Sequence, residues 1–373
     1  MSKHILVTGG AGFIGSFLVD KLIEQDHQVR ILDNLEPQVH SSGQPPEYLN
    51  SRAEFIKSDV RDYEALKSAL QGIEVVFHEA AAVGVGQSNY EVKRYIDVNV
   101  GGTANLLDLV VNDKSLQVKK ILTTSSMTAY AEGLYTCPQC GPVKGELRSL
   151  TQLQHQDWSM YCPNCHSLIK PIPTPETAPQ PCNSIYALSK KTQEDMLMLI
   201  GKMYQIPTVA LRCFNVYGPR QSISNPYTGV TAIFISRLKN SQPPIIYEDG
   251  LQTRDFISVH DVVDALILAM NSNQADYQVI NLGSGQPTTI KDIAVKLAHL
   301  MGKDIAPKIT GEFRINDIRH CYADTTLAQK ILGWQSKISF DQGIQELIDW
   351  SLTQESTDDF AKAEAELRRK GLL

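Results

Sequence analysis

His4-Ile5-Leu6-Val7-Thr8-Gly9-Gly10-Ala11-Gly12-Phe13-Ile14-Gly15 sets the fold: a short β-rich run enters a glycine-spaced turn and then a helical pattern lasting to Ile23. Glycines at these spacings permit a tight turn, close approach of a pyrophosphate and tight helix packing, and the helix start adds free N–H groups and a positive dipole end. Residues 29–33, Val-Arg-Ile-Leu-Asp, read as a second strand ending in an acid 18 residues after Gly15, where a carboxylate can hold a ribose diol. Asp33 would repel a 2′-phosphate and Asn34 supplies no cation, so the unit is predicted to bind NAD rather than NADP. The predicted contacts are Gly9, Gly12, Phe13, Ile14, Gly15, Asp33 and Asn34. A plain turn with an incidental aspartate is the competing reading, and the strand-turn-helix context weighs against it.

The alternation continues outward. Residues 55–60 read as a strand, 63–70 as a helix, Val75–His78 as a nearly continuous apolar strand, 95–111 as a helix and Lys120–Ser126 as a strand ending in hydroxyls. Continuous apolar runs belong to parallel strands covered on both faces. In an open parallel sheet the ligand crevice lies at the carboxyl ends of the strands. Ser126 is therefore placed at the cofactor, and the small residues Ala80 and Ala81 let a dinucleotide lie against the backbone.

Tyr186-Ala187-Leu188-Ser189-Lys190 places a phenol and an amine four residues apart, on one face of a helix. A free phenol ionises near pH 10, so using its phenolate near neutrality costs about 4 kcal/mol. The Lys190 ammonium is the candidate source of that stabilisation, with donors to spare for a cofactor ribose. Alone, this spacing is common on solvated helix faces.

Composition narrows the class. A chain of 373 residues, 42% hydrophobic and 20% charged, can bury a large core, and a net charge of -6 gives no case for nucleic acid. No apolar run reaches about 18 residues, and Met1-Ser2-Lys3-His4 enters a strand with no signal peptide, so no membrane association and a cytoplasmic location are expected. Seven cysteines, an odd number in that setting, argue against a disulfide framework.

Four of them have a pattern. Cys137-Pro138-Gln139-Cys140 and Cys162-Pro163-Asn164-Cys165 form C-x2-C-x21-C-x2-C, which suits tetrahedral thiolate ligation of a structural zinc. A redox pair is the poorer reading, since neither pair sits at a strand-helix junction of the thioredoxin kind. Four protein ligands leave no open position for chemistry, and His155 and His166 read as surface histidines. Because the module leaves after Ser126 and returns before Tyr186, it is expected at the mouth of the site as a lid or sugar-contacting wall. The proline-rich residues 170–176 return the chain as an extended segment.

Taken together, the glycine motif, Asp59-Val60, Ser125-Ser126-Met127-Thr128-Ala129-Tyr130, Tyr186-x-x-x-Lys190, Arg212-Cys213-Phe214-Asn215-Val216-Tyr217-Gly218-Pro219-Arg220 and Arg254-Asp255-Phe256-Ile257 resemble the NAD-dependent nucleotide-sugar epimerase/dehydratase family of extended short-chain dehydrogenase/reductases. The likeness runs from His4 to about Trp350. It implies an α/β fold: a Rossmann-like doubly wound parallel sheet, a smaller α/β substrate lobe and, here, the zinc-ribbon-like insertion. It also implies that Ser126, Tyr186 and Lys190 are catalytic. Asp59, Val60 and Asn99 would join the NAD contacts, while Val83, Ser126, Thr128, Asn215, Arg254 and Arg314 would meet a nucleotide-diphosphate sugar. Tyr186 would take a sugar hydroxyl proton while hydride passes to NAD. Relatives that eliminate water carry an acid pair directly after the catalytic hydroxyl, and decarboxylating relatives carry a glutamate at the second of those positions; here Met127 and Thr128 stand there. A 4-epimerase needs neither acid, so a nucleotide-sugar 4-epimerase (isomerase, EC 5.1.3-like) is expected. A dehydrogenase or reductase is next, then a 4,6-dehydratase or decarboxylase, and outside the enzymes an NAD(H)-binding sensor that recruits a partner through the zinc module.

The expected division is an NAD-binding domain over 1–182 containing the insertion 132–181, a substrate lobe over 183–353 with segments returning to the first domain, and a charged helical tail over 354–373 with no assigned role. In relatives the helices corresponding to 95–111 and 186–204 pair across a dimer. The resemblance therefore implies a homodimer, with Leu106, Leu109, Met196, Leu199 and Met203 as candidate contacts, core packing being the usual reading of such apolar stripes.

Overall fold

The structure, a computed structural model, describes residues 2–373. Seven parallel strands form its central sheet: β1 (His4–Thr8), β2 (Gln28–Asp33), β3 (Glu54–Lys57), β4 (Val75–His78), β5 (Lys120–Ser126), β6 (Thr208–Cys213) and β7 (Gln278–Leu282). Their spatial order is β7-β6-β5-β4-β1-β2-β3. Pairing fixes the register, Ile5 lying beside Val29 on one side and Val75 on the other. The order reverses at β1 and β4, which opens the crevice at their carboxyl ends. Ile5, Leu6 and Val7 are fully buried, as strands covered on both faces must be.

Helix α1 (Phe13–Glu24) buries Leu18, Val19, Leu22 and Ile23 against one face of the sheet. Helices α2 (Gly102–Asn112) and α3 (Ile185–Tyr204) cover the other through Leu106, Leu107, Leu109 and Leu197. The strand expected over 55–60 stops at Lys57, and the helix expected from residue 95 starts at Val92 and contains a π-turn at Ile96–Gly101 before α2. That wider turn carries Asn99 inward, and it is buried completely.

Strands β6 and β7 come from the half expected to form the substrate lobe, so the sheet is completed by returning chain. The lobe has its own core, centred on Phe234, Ile246, Phe256, Leu297, Ile344 and Leu347. Its short strand Asn215–Tyr217 pairs in parallel with Thr253–Ser258, which also pairs with Pro287–Thr289 and His320–Cys321. The insertion is a three-stranded antiparallel sheet, Leu134–Cys137 lying between Gly141–Lys144 and Lys170–Ile172, around a small core of Tyr135, Val143, Met160 and Ile169. The tail forms the helix Phe360–Arg369. Among the described residues no helix is long and apolar enough to cross a membrane.

Candidate active site

The glycine turn is sterically closed. Gly9 has φ +69°, and a Cβ there would lie 2.7 Å from the Ala80 amide nitrogen; one at Gly15 would lie 2.2 Å from the Gly9 carbonyl oxygen. Backbone is thereby held where a pyrophosphate can approach it, the fit a dinucleotide needs. The Asp33 carboxylate accepts from the Ala11 amide at 3.0 Å and the Leu35 amide at 2.9 Å, and its remaining lone pairs are available to a diol. Asn34 donates to Asp59 at 2.8 Å. Burial works against the Asp59 anion, but hydrogen bonds from Arg61 and Asn34 outweigh it and hold its carboxyl at about 2. These residues, with Phe13, Ile14, Val60, Ala80 and Ala81, line one end of a cavity of about 600 Å³.

Ser126, Tyr186 and Lys190, 64 residues apart at their extremes, line the middle of the same cavity. Ser126 ends β5, and its hydroxyl accepts from the Thr128 hydroxyl at 2.9 Å. Tyr186 opens α3, whose first amides are anchored by Asn89 (to Ile185, 3.2 Å), Ser88 (to Tyr186, 3.0 Å) and the cap Ser184 (to Ala187, 3.1 Å). Asn99 fastens the same helix, donating to the Ala82 carbonyl at 3.1 Å and the Ser189 hydroxyl at 2.9 Å while accepting from the Ala82 amide at 2.7 Å. It therefore supports the start of α3 and the Ala82 loop.

The electrostatics differ from the sequence expectation. Burial pushes Tyr186 up to about 12, and the neighbouring Ser126 hydroxyl offsets only part of this. Lys190 does not supply the expected relief: its ammonium donates to Gln193 at 2.7 Å, and burial brings it down to about 8. Burial alone therefore favours the protonated phenol, and lowering it needs positive charge close to the Tyr186 oxygen. Glu79, passed over in sequence because small residues surround it, is the carboxyl that faces Lys190. It accepts from Thr124 at 2.5 Å through one oxygen, and its other oxygen is buried without a partner.

Toward the other end, Val83, Thr128, Asn215, Arg254 and Arg314 also line the cavity. The Asn215 Oδ1 is buried without a partner, an acceptor awaiting a donor. Arg254 and Arg314, 60 residues apart, converge on Asp317: Arg254 Nη2 at 3.2 Å from Oδ1, Arg314 Nη2 at 2.6 Å from Oδ2. Arg254 spends its terminal nitrogens on Asp317 and on the Thr253, Ile318 and Arg319 carbonyls, whereas Arg314 Nη1 keeps free donors of the kind that bind a diphosphate. Met127 is buried beside Tyr130, Phe214 and Ala178, so neither residue after Ser126 offers an acid.

The four cysteine sulfurs of the insertion lie within 4.8 Å of one another, Cys137 and Cys165 at 3.4 Å, and the Gln139 amide points at the Cys137 sulfur at 3.4 Å. Tetrahedral Zn–S bonds of about 2.3 Å place sulfurs about 3.8 Å apart, so the donor set fits a structural zinc. His155 instead bonds the Thr151 carbonyl. The expected position at the mouth is not observed: none of residues 129–182 lines the cavity. The module packs behind it. Its Arg148 makes a two-pronged bond to buried Glu248 (2.7 and 2.8 Å) and a third to the Asp317 carbonyl at 3.2 Å, while Glu132 accepts from the Arg319 amide at 2.6 Å. It thus buttresses the segment carrying Arg314 and Asp317. The tail was missed as well: Phe360, Ala363, Glu364, Leu367 and Leu372 line the cavity, and the first four have the i, i+3, i+4, i+7 spacing of a single helix face.

A doubly wound sheet with a glycine cradle, and a tyrosine-lysine helix facing a serine at a strand end, define a short-chain dehydrogenase/reductase. Two family models divide the chain, NAD dependent epimerase/dehydratase family over residues 5–148 and GDP-mannose 4,6 dehydratase over 168–347. The dTDP-L-rhamnose 4-epimerase of Burkholderia thailandensis is 38% identical over 352 residues, covering 93% of this chain and 94% of that one. Among solved structures, UDP-glucose 4-epimerase from Thermotoga maritima with UDP-glucose matches at TM-score 0.75 and 32% identity, over 94% of this chain and 98% of that one. UDP-glucuronic acid 4-epimerase from Bacillus cereus, in complex with UDP-glucuronic acid and NAD, matches at 0.74 and 26%, over 93% and 98%. The chain belongs to the NAD-dependent epimerase/dehydratase family and is a nucleotide-sugar 4-epimerase family enzyme.

Proposed function

We propose that this protein inverts C4 of a nucleotide-diphosphate sugar, and that dTDP-L-rhamnose is its substrate. The observation that carries the reaction type is the site around Ser126: Tyr186 and Lys190 face it, while the two following positions are Met127 and Thr128. When bound, NAD would supply the hydride acceptor and donor for C4. Tyr186 takes the C4 hydroxyl proton and later gives it back, Ser126 holds the oxygen by hydrogen bonding, and the Lys190 ammonium, turned toward Tyr186, would lower it into working range. A ketone formed at C4 can rotate and receive hydride on its other face. Elimination or decarboxylation needs further proton-transfer groups, which Met127 and Thr128 are not.

Gly9, Gly12, Phe13, Ile14, Gly15, Asp33, Asn34, Asp59, Val60, Ala80 and Ala81 hold NAD in this reading, and Asn215, Arg254 and Arg314 hold the sugar diphosphate beside Val83 and Thr128. The sugar assignment rests on the 38% identical relative. Cys137, Cys140, Cys162 and Cys165 hold a structural zinc.

The protein works in the cytoplasm as a homodimer. Leu199 and Met203 are 60% and 65% exposed on α3 and suit the dimer face, whereas Leu106 and Leu109 are buried within the chain and are removed from the candidate contacts.

Product analysis by NMR, with trace NAD and dTDP-L-rhamnose, UDP-glucose, UDP-glucuronate and GDP-mannose in turn, tests the proposal. A product of unchanged mass inverted at C4 from dTDP-L-rhamnose, without net NADH, is expected. Loss of water or carbon dioxide, or stoichiometric NADH, would mark a dehydratase, decarboxylase or dehydrogenase instead.

A further inference from the structure

We infer that the C-terminal helix is the outer wall of the nucleoside compartment and a determinant of nucleotide affinity. The inference rests on the nucleotide-sugar reading above. The order of groups along the cavity gives the helix its place. Ser126 and Tyr186 mark the reacting centre in the middle of the cavity, and Arg254 and Arg314 meet on Asp317 in the lobe. The Arg314 guanidinium stands 5.3 Å over the Tyr247 ring, and the Tyr247 hydroxyl donates to Glu364 of the helix at 3.4 Å. A diphosphate held by the two arginines has its sugar toward Tyr186, so its nucleoside must extend the other way. The cavity lining near Tyr247 and Glu364 includes the apolar side chains Ile233, Phe234, Phe360, Ala363 and Leu367. Flat apolar walls suit a base and ribose.

The helix is also held in place from both halves of the molecule. Leu367 packs on Gly86, where an added Cβ would lie 3.3 Å from its Cδ2, and Lys370 sits 5.7 Å over the Tyr90 ring. From the lobe, Arg237 stacks 4.7 Å over Phe360 and pairs with Asp358 at 3.1 Å. Arg368 pairs with Glu312 at 2.7 Å, and the Leu372 carbonyl accepts from the Ile315 amide at 3.2 Å. The last two contacts bracket Arg314, so the tail fixes the segment that carries it. Ala363 and Leu367 are buried although they lie within the last 11 residues of the chain.

Isothermal titration of the full chain, of a chain ending at Thr353 and of Ala363→Trp, with dTDP and separately with NAD, tests the assignment. We expect the dissociation constant for dTDP to rise at least tenfold in both variants and that for NAD to stay within twofold. Either variant binding dTDP as tightly as the full chain overturns the inference. Should the truncation lose NAD binding as well, Ala363→Trp, which adds bulk without removing chain, decides alone. A full chain that binds neither dTDP, UDP nor GDP would instead refute the nucleotide-sugar reading on which the inference stands.

Discussion

The two ends of the cavity are built in opposite ways. The cofactor end is assembled from a single sheet: the glycine turn, Asp33, Asp59 and Ala80 all sit at strand ends, and their positions follow from ladder register and from glycines with no room for a Cβ. The substrate end is assembled from segments around residues 83, 215, 254, 314–317 and 360–372, with no shared sheet. It is fastened by buried charge pairs, Arg148 and Arg319 on Glu248 and Arg254 on Asp317, and by the cysteine module behind them. A sheet-built site tolerates distant damage. A site tied by buried ion pairs does not, because removing one partner leaves the other charge buried and unpaired.

Perturbations rank accordingly. Tyr186→Phe removes the proposed base at the junction of the two ends; kcat should fall roughly 10³-fold, within the usual range for losing a general acid-base group, while NAD and dTDP dissociation constants hold. Loss of either affinity would mean that Tyr186 is mainly structural. Next, Cys162→Ser, or stripping metal with a chelator, should raise KM for the nucleotide sugar about 30-fold, about 2 kcal/mol, through Arg148 and the Asp317 segment. NAD affinity measured in parallel should not move. If both ends weaken together, the contrast between them is broken.

An effect of the same size belongs to the sheet beside the cofactor end. His78 is fully buried between the Thr8 and Thr103 hydroxyls at 2.8 and 3.1 Å, and burial brings it down to about 3. The unfolded chain takes up this proton near 6.5 and the folded chain only near 3, so stability is lost as pH falls through that window. Urea denaturation should show the native protein losing about 2 kcal/mol more than His78→Asn between pH 7 and pH 5. Equal losses would show that His78 is already charged in the fold. Smallest is Arg314→Ala: the side chain is 44% exposed, so solvent screens it, and KM should rise only about tenfold, about 1.4 kcal/mol. A rise exceeding that of the cysteine variant would assign the substrate end to single contacts rather than to its buttress.

The same division governs what could be read from sequence. Gly9 to Gly15 and the acid at 33 declare themselves because their partners are close in the chain or one strand away. Tyr186 and Lys190 are legible through helical spacing alone. Cys137 to Cys165 announce a metal knot, but where the knot docks depends on Arg148 meeting Glu248, 100 residues on, and no local pattern encodes that pairing. Asp317 was hidden for a similar reason: an aspartate three residues after Arg314 reads as a local ion pair until Arg254 arrives from another strand. The tail's apolar face at 360, 363 and 367 was visible as a stripe, yet nothing in the chain order says which surface it covers. Leu106 and Leu109 carried the same ambiguity, and packing under the sheet resolved it toward the core.

In the proposed reaction one hydride leaves C4 and returns to it within a single bound complex. Incubating the enzyme with dTDP-L-rhamnose deuterated at C4 and following the product by NMR and mass spectrometry tests this directly. The account predicts a C4-inverted sugar of the same mass with its deuterium still on C4. Deuterium lost to solvent or appearing in free NADH, or a product lighter by water or carbon dioxide, would contradict it.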